Sequence, residues 1–273
     1  MRRLLIRPGA IGDCILCLPA MESLRGDYTE VWVAGQNVPL VRFAERVRSL
    51  SSTGIDLVGL EGVAPPARTF ELLRGFDSII SWYGYRRPEF RAALEGFNVR
   101  FFPALPPPES REHAADFFLS QAREAGGRAV EPVPRMDCPP VEPGGYAVIH
   151  PFSGSPKKNW PLERFRELAG WLSARMPVKW CAGPEEVLEG AARMDNLFDL
   201  ALWLKAARVY VGNDSGITHL AAAVGVPAVA IFGPTDPEVW GPRGRRVRII
   251  RAPGGVIGSL SFQTVLKAVE SVL

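Results

Sequence analysis

Apolar and polar positions along this chain alternate in two successive series of short strands and amphipathic helices. Arg3 to Arg7 holds an unbroken apolar run between charged ends, which predicts a buried strand. A glycine turn, PGAIGD, follows it, and the apolar positions of Ile15 to Arg25 then recur at helical spacing. The same reading predicts strands at Glu30 to Ala34, Ile55 to Leu60, Ser78 to Trp82 and Val99 to Phe102. Between them it predicts helices around Leu40 to Val47, Phe70 to Leu73 and Glu89 to Leu94. A proline-rich loop from Pro103 to Pro108 and a helix from His113 to Ala125 close the first series.

From Gly126 to Gly145 the periodicity stops in a proline-rich stretch whose residues lack donors and bias their neighbours to extended geometry. It reads as an interdomain linker. The second series predicts strands at Tyr146 to His150, Val178 to Cys181, Val209 to Val211, Ala228 to Phe232 and Val247 to Ile250. Its helices are expected at Leu162 to Arg175, Val187 to Met194, Ala201 to Ala207 and Ser261 to Val272. The expected fold class is α/β. An N-terminal doubly wound domain spans residues 1–130, a linker 131–145 and a second doubly wound domain 146–273, with a cleft between them. The last helix could pack back on the N-terminal domain.

The stretch from Val209 to Pro227 concentrates the candidate chemistry. It reads as strand, tight turn and alanine-rich helix, with Asn213, Asp214 and Ser215 all suited to an N-cap and Gly216 permitting close approach to the backbone. The free amides of a first helical turn, backed by the helix dipole, attract phosphate. An ordinary strand-to-helix junction reads the same way at this point.

Composition narrows the function classes. The chain has 273 residues, 47% hydrophobic and 22% charged, with a net charge of +3. That is a soluble globular composition, and neither the charge nor any motif supports nucleic-acid binding. No run reaches the length of a membrane span, and the opening MRRLLI is broken by Arg7, Pro8, Gly9 and Asp13 before it forms a signal-peptide core. A cytoplasmic protein is expected. Cys14 and Cys17 form a C-x-x-C within an apolar helical run, with Cys138 and Cys181 far away, so small buried side chains are the expected role. His113, His150 and His219 are too scattered to propose a metal site.

Four further stretches stand at strand ends. The turn RPGAIGD lacks the spacing of a dinucleotide fingerprint, and its Asp13 reads either as a helix N-cap or as a carboxylate available as a weak base. HPFSGSPKKNWP, from His150 to Pro161, offers Ser153, Gly154, Ser155 and two lysines to a diphosphate, or else is a solvated loop; it is not a Walker A loop. GPEE, Gly183 to Glu186, offers a carboxylate to ribose hydroxyls or to a helix cap. GPTDP, Gly233 to Pro237, is a turn that could close over a sugar. The basic run Arg243, Arg245, Arg246, Arg248 and Arg251 suits an anionic acceptor or a solvated strand edge.

Taken together, RPGAIGD, HPFSGSPKKNWPLERF and VGNDSGITHLAAAVGVP followed by FGPTDP resemble glycosyltransferase family 9, the ADP-heptose:lipopolysaccharide heptosyltransferases. The order and spacing of the motifs match over nearly the whole chain, while the N-terminal half beyond Asp13 matches loosely. The resemblance implies a GT-B fold of two Rossmann-like domains, the acceptor on the first and the nucleotide sugar on the second. It implies inverting transfer of heptose from ADP-heptose to a lipopolysaccharide core or related glycan, with no metal and no cofactor beyond the nucleotide-diphosphate sugar substrate. On the matching positions it makes Asp13 the general base. It places Ser153 and Lys158 on the diphosphate, Glu185 on the nucleoside, and Asp214, Ser215, Gly216 and His219 in the helix-start motif that holds the donor, with Thr235 in the adjoining turn. The implied partners are the donor and a glycan or lipid-linked glycan acceptor, with room for peripheral association with the inner membrane surface. A sugar-nucleotide epimerase or hydrolase, and a non-catalytic nucleotide-sugar binding protein, are the competing readings.

Overall fold

The computed structural model describes residues 1–273 and divides into two compact units, Met1–Pro132 and Val133–Leu273. In the first, β1 (Arg2–Arg7), α1 (Ile11–Ser23), β2 (Tyr28–Val33), β3 (Arg46–Ser49), α2 (Leu50–Thr53), α3 (Ala67–Arg74), β4 (Ser78–Ser81), α4 (Pro88–Ala93), β5 (Val99–Phe101) and α5 (Ala114–Glu124) follow one another. Its sheet is parallel throughout, in the order β3-β2-β1-β4-β5. Leu4, Leu5 and Ile6 are wholly buried, as an apolar run in a central parallel strand must be when helices cover both faces. Leu4 and Ile6 join Trp32, Ile79 and Phe90 in one core.

The second unit contains β6 (Ala147–His150), α6 (Leu162–Ser173), β7 (Val178–Trp180), α7 (Leu197–Lys205), β8 (Val209–Asn213), α8 (Gly216–Ala223), β9 (Ala228–Phe232), α9 (Pro237–Trp240), β10 (Val247–Arg251) and α10 (Phe262–Glu270). Its five strands are also all parallel, in the order β10-β9-β8-β6-β7. Every residue of β8 and β9 is buried. The last helix packs on its own sheet: Val265, Ala268 and Val269 join Ile149, Val211 and Ile231 in the second core.

Each sheet has one topological switch point. The chain builds the first outward from β1 through β2 and β3, then crosses back to β4, so β1 and β4 flank a crevice at their carboxyl ends. In the second it passes from β6 to β7 and then crosses to β8, so β6 and β8 flank the equivalent crevice. Open α/β sheets bind ligands at such crevices.

Three expected elements differ. The helix around Leu40 to Val47 is replaced by a 3-10 turn, Gly35–Leu40, with Pro39 inside it, and by the edge strand β3. That strand is anchored by Arg48 Nε on Glu30 Oε1 at 2.6 Å, a pairing invisible to local periodicity. The strand at Ile55 to Leu60 is instead a 3-10 turn, Ile55–Leu57, because Gly54 and Gly59 take positive φ values of 71° and 70° on either side of it. No helix forms at Val187 to Met194. Gly190 turns with φ 71°, Ala192 N–H donates to Trp180 O at 2.8 Å, and Arg193 donates to the carbonyls of Glu186 and Leu188 that a helix would have used. The stretch from 131 to 145 carries no helix or strand, and its latter part is strapped to the second unit. Met136 N–H donates to Ala223 O, Gly144 N–H to Ala206 O, and Lys205 Nζ to the carbonyls of Cys138 and Pro139.

Candidate functional site

At the first switch point the chain leaves β1 through Pro8 and Gly9 into α1. Gly9 has φ 113°, and a Cβ there would lie 2.9 Å from the Asp13 carboxylate, so the turn admits only glycine beside that side chain. Asp13 is not the N-cap. Ala10 takes that place, and Asp13, three residues on, accepts the Ala10 N–H on Oδ2 at 3.0 Å. The Asp13 carbonyl accepts Arg7 Nη2 at 3.1 Å, and the Arg7 guanidinium, 1% exposed, also donates to Ala104 O and lies 4.5 Å from the Phe118 ring centroid. Asn37, fully buried, donates to Gly9 O at 3.1 Å and fixes the turn from its other side. The Asp13 carboxylate is thus held on a fixed turn in the first turn of α1.

A pocket of about 420 Å³ opens at the same carboxyl edge. Its walls include Pro8 after β1, Trp82 and Tyr85 after β4, and Leu105 after β5. Trp82 is locked by its Nε1 hydrogen bond to Gln121 Oε1 at 2.7 Å. Arg87 is engaged with the Tyr83 hydroxyl and Val58 O, whereas Arg86 and Tyr85 are exposed at the rim. The C-x-x-C of α1 takes no part. Burial pushes the Cys14 and Cys17 thiols up to about 12, which keeps them protonated and poor nucleophiles.

At the second switch point the side chains bind one another. Asn213, the last residue of β8, donates from Nδ2 to Pro151 O at 2.7 Å and accepts Trp160 N–H on Oδ1 at 3.0 Å. Both ends of the lysine loop are therefore stapled to β8, and Trp160 anchors the far end by donating from Nε1 to Leu260 O at 3.0 Å. Ser153 Oγ lies 2.6 Å from Asn159 Oδ1 and 2.8 Å from Ser155 O, which shapes the loop from within. The loop delivers Lys158, whose Nζ meets Asp214 Oδ2 at 2.7 Å; the lysine side chain keeps 32% exposure while the aspartate has 7%. Asp214 thus aims a cation at the start of α8. Lys157, beside it, is exposed.

Ser215 is the N-cap of α8, accepting Thr218 N–H on Oγ at 3.3 Å. The first amides of the helix, those of Gly216 and Ile217 among them, have no intrahelical acceptor. His219 is buried one turn into the helix. Gly212 leaves room for the core behind the helix start: a Cβ there would collide with the Tyr210 hydroxyl, which bonds Thr218 Oγ1 at 3.0 Å.

Sequence reading missed two residues of this group. His150, 2% exposed at the end of β6, places Nε2 3.2 Å from Glu186 Oε2 and Nδ1 3.4 Å from Ser215 Oγ. Glu186 Oε2 also accepts Gly183 N–H at 2.6 Å. Burial works to raise the Glu186 carboxyl, but the hydrogen bonds from His150 and Gly183 outweigh it and hold the group below the usual carboxylate range. Glu185, its neighbour in the same turn, is exposed. The turn after β9 leaves Thr235 half-buried, and Asp236 caps α9 through Glu238 N–H and pairs with Arg251 Nη1 at 3.2 Å. No three His, Cys, Asp or Glu side chains gather in a group suited to a metal ion.

A sequence profile described as glycosyltransferase family 9 (heptosyltransferase) matches residues 112–267. Lipopolysaccharide heptosyltransferase 1 of Escherichia coli O18:K1:H7 is 33% identical over 144 residues, covering 48% of this chain and 44% of that protein. The chain spans about half the length of the curated relatives it matches. Among solved structures, the E. coli heptosyltransferase WaaC with ADP superposes with a TM-score of 0.71 at 21% identity, covering 100% of both chains. The glycosyl transferase family 9 structure from Veillonella parvula DSM 2008 gives 0.74 at 17% identity, over 99% of this chain and 96% of that one. These likenesses establish the fold class, GT-B, with two parallel-sheet α/β units.

Proposed function

This chain belongs to glycosyltransferase family 9, and we propose that it moves heptose from ADP-heptose to a hydroxyl of a lipopolysaccharide core glycan, with inversion and without a metal ion. The observation that carries this reading is the ion pair that aims Lys158 at the open amides of α8, at the crevice between β6 and β8. When the bond between the anomeric carbon and the diphosphate breaks, the electron pair leaves with ADP. Lys158 and the α8 amides offset that charge where it develops. Ser153 and Thr235 add hydroxyls from the neighbouring loops, His219 shapes the helix side of the donor site, and Glu185 reaches the ribose.

The acceptor hydroxyl attacks the opposite face of the anomeric carbon, and its proton passes to the Asp13 carboxylate. The acceptor glycan is held by the first unit, in the pocket between Pro8, Trp82 and Leu105, with Arg86 at its rim. Its lipid end would keep the reaction at the cytoplasmic face of the inner membrane. No helix of the chain is long and apolar enough to cross a membrane, so the association proposed is peripheral.

The test is incubation with ADP-heptose in the presence and absence of a heptose-free core acceptor. The expected result is ADP release that depends on acceptor, with the acceptor gaining the mass of one heptose. Equal ADP release without acceptor would make the protein a hydrolase, an isomerised sugar nucleotide would make it an epimerase, and binding without turnover would make it a non-catalytic binder.

A further inference from the structure

His150 has both ring nitrogens engaged inside the second unit, which none of the roles above uses. Glu186, held ionised, has only acceptor atoms, so the proton between it and His150 sits on Nε2. In the neutral ring Nδ1 is then a bare acceptor, 3.4 Å from Ser215 Oγ. The other neighbour of that hydroxyl is also an acceptor. Thr218 gives its own proton to Asn213 O and receives that of Tyr210, so at 3.2 Å from Ser215 it offers a lone pair. With His150 neutral, both partners draw the Ser215 proton inward, and the oxygen at the mouth of α8, one lone pair taken by Thr218 N–H, shows a ligand its remaining lone pair.

Protonation of His150 reverses this polarity. Nδ1–H then donates to Ser215 Oγ alongside Thr218 N–H, both lone pairs are taken, and the hydroxyl proton is free to point outward. An anion at the start of α8 favours that state twice, through its charge on the imidazolium and through the hydrogen bond it accepts from Ser215.

We propose that Glu186, His150 and Ser215 form a proton-coupled relay, in which seating the donor diphosphate is linked to uptake of one solvent proton on His150. The proposal rests on the donor reading of this site. Glu186 and His150 are positioning residues, since Ser215 is the one that touches the diphosphate. The other titratable groups facing this cluster do not supply the proton. Burial holds Cys181 near 12 and raises Tyr210 further, so both stay neutral; Arg193 is bound to the Glu186 carbonyl, and Lys158 is paired with Asp214. His219, on the same helix as Ser215, is the other imidazole of the second unit and serves as the control.

The experiment is calorimetric titration of ADP-heptose into the full chain, without acceptor, at pH 8 in two buffers of different ionisation enthalpy. Both phosphates of this ligand are diesters and carry no proton near neutrality. The expected result is a buffer-dependent enthalpy that reports uptake of roughly one proton or a large fraction of it. The dependence should vanish in H150Q and S215A, which should still bind but about tenfold more weakly, the order of one hydrogen bond to a charged group, and it should persist in H219Q. Binding with no buffer dependence, or a dependence lost only in H219Q, would overturn the relay alone. Failure of ADP-heptose to bind at all would overturn the donor reading and the relay with it. Should H150Q not fold, the native chain and S215A decide the matter.

Discussion

In the first unit the crevice between β1 and β4 opens onto a pocket of about 420 Å³ walled by proline, aromatic and leucine side chains, with one carboxylate, Asp13, fixed on the turn beside β1. In the second, the crevice between β6 and β8 is packed with polar side chains bound to one another: Asn213 to the lysine loop, Lys158 to Asp214, His150 to Glu186 and Ser215. The topology is of one kind and the furnishing is not. A diphosphate is small, highly charged and always alike, so its site can be assembled beforehand from short polar bonds that cost nothing further when charge develops. On the proposed reading the acceptor glycan presents a broad surface of hydroxyls and C–H faces, which an open wall of apolar and aromatic side chains with Arg86 and Arg87 accommodates with few fixed contacts.

The contrast is broken most sharply at Asp13. Asp13→Asn keeps the shape and the bond from Ala10 but removes the proposed proton acceptor, so turnover should fall by about 10²–10⁴-fold, the range of general base catalysis. Steady-state ADP release with saturating acceptor reads this out, and an Asn variant of native activity would take Asp13 out of the role. Lys158→Gln should lower kcat/KM for the donor by about 10²–10³-fold, the effect of removing one charge-stabilising donor. Here KM and kcat should move together, and unchanged kinetics would refute the assignment.

How far the sequence foretold this arrangement differs between the two regions. β1, β8 and β9 are legible because central parallel strands are continuous apolar runs. The Ser215 cap is legible because capping is local, spanning three residues to the Thr218 amide. Lys158 and Asp214 are each recognisable, but their pairing joins positions 56 residues apart and needs the sheet to bring them together. Asn213 reads as a helix cap and is spent instead as the staple between β8 and the loop. Glu186 and Glu185 are adjacent and chemically identical, and only the Gly183 amide and His150 decide which one turns inward. Where local glycines set the path, as at Gly54, Gly59 and Gly190, apolar spacing misreads a turn as a strand or a helix. Of the first pocket's walls, Pro8 and the proline-rich loop from Pro103 to Pro108 are visible as separate stretches, but not their meeting with Trp82 and Tyr85, since the walls come from loops after three different strands.

Two smaller effects sharpen the comparison from the side of stability. Asn213→Ala leaves the buried Pro151 carbonyl and Trp160 amide without partners, which should cost about 1–3 kcal/mol in denaturant unfolding. Leu105 takes part in no such bridge, so Leu105→Ala in the first pocket should leave the unfolding midpoint nearly unmoved, its side chain being 53% exposed. The smallest effect is on acid unfolding. Because the folded Glu186 carboxyl lies below its ordinary 4.5, its contribution is fully present above that value and is lost as the pH falls through the lowered folded value. Glu186→Gln should therefore flatten the pH dependence of stability below about pH 4.5 and leave it unchanged near neutrality. A flat profile in the native chain over that window would contradict the pairing with His150.

The division of labour itself is tested most directly by titrating ADP-heptose into the Asp13→Asn and Lys158→Gln proteins side by side, without acceptor. If the second unit alone holds the donor, Asp13→Asn binds within about twofold of the native chain, while Lys158→Gln binds about tenfold or more weakly, the loss expected of one charged hydrogen bond. An equal loss in both proteins would contradict the account.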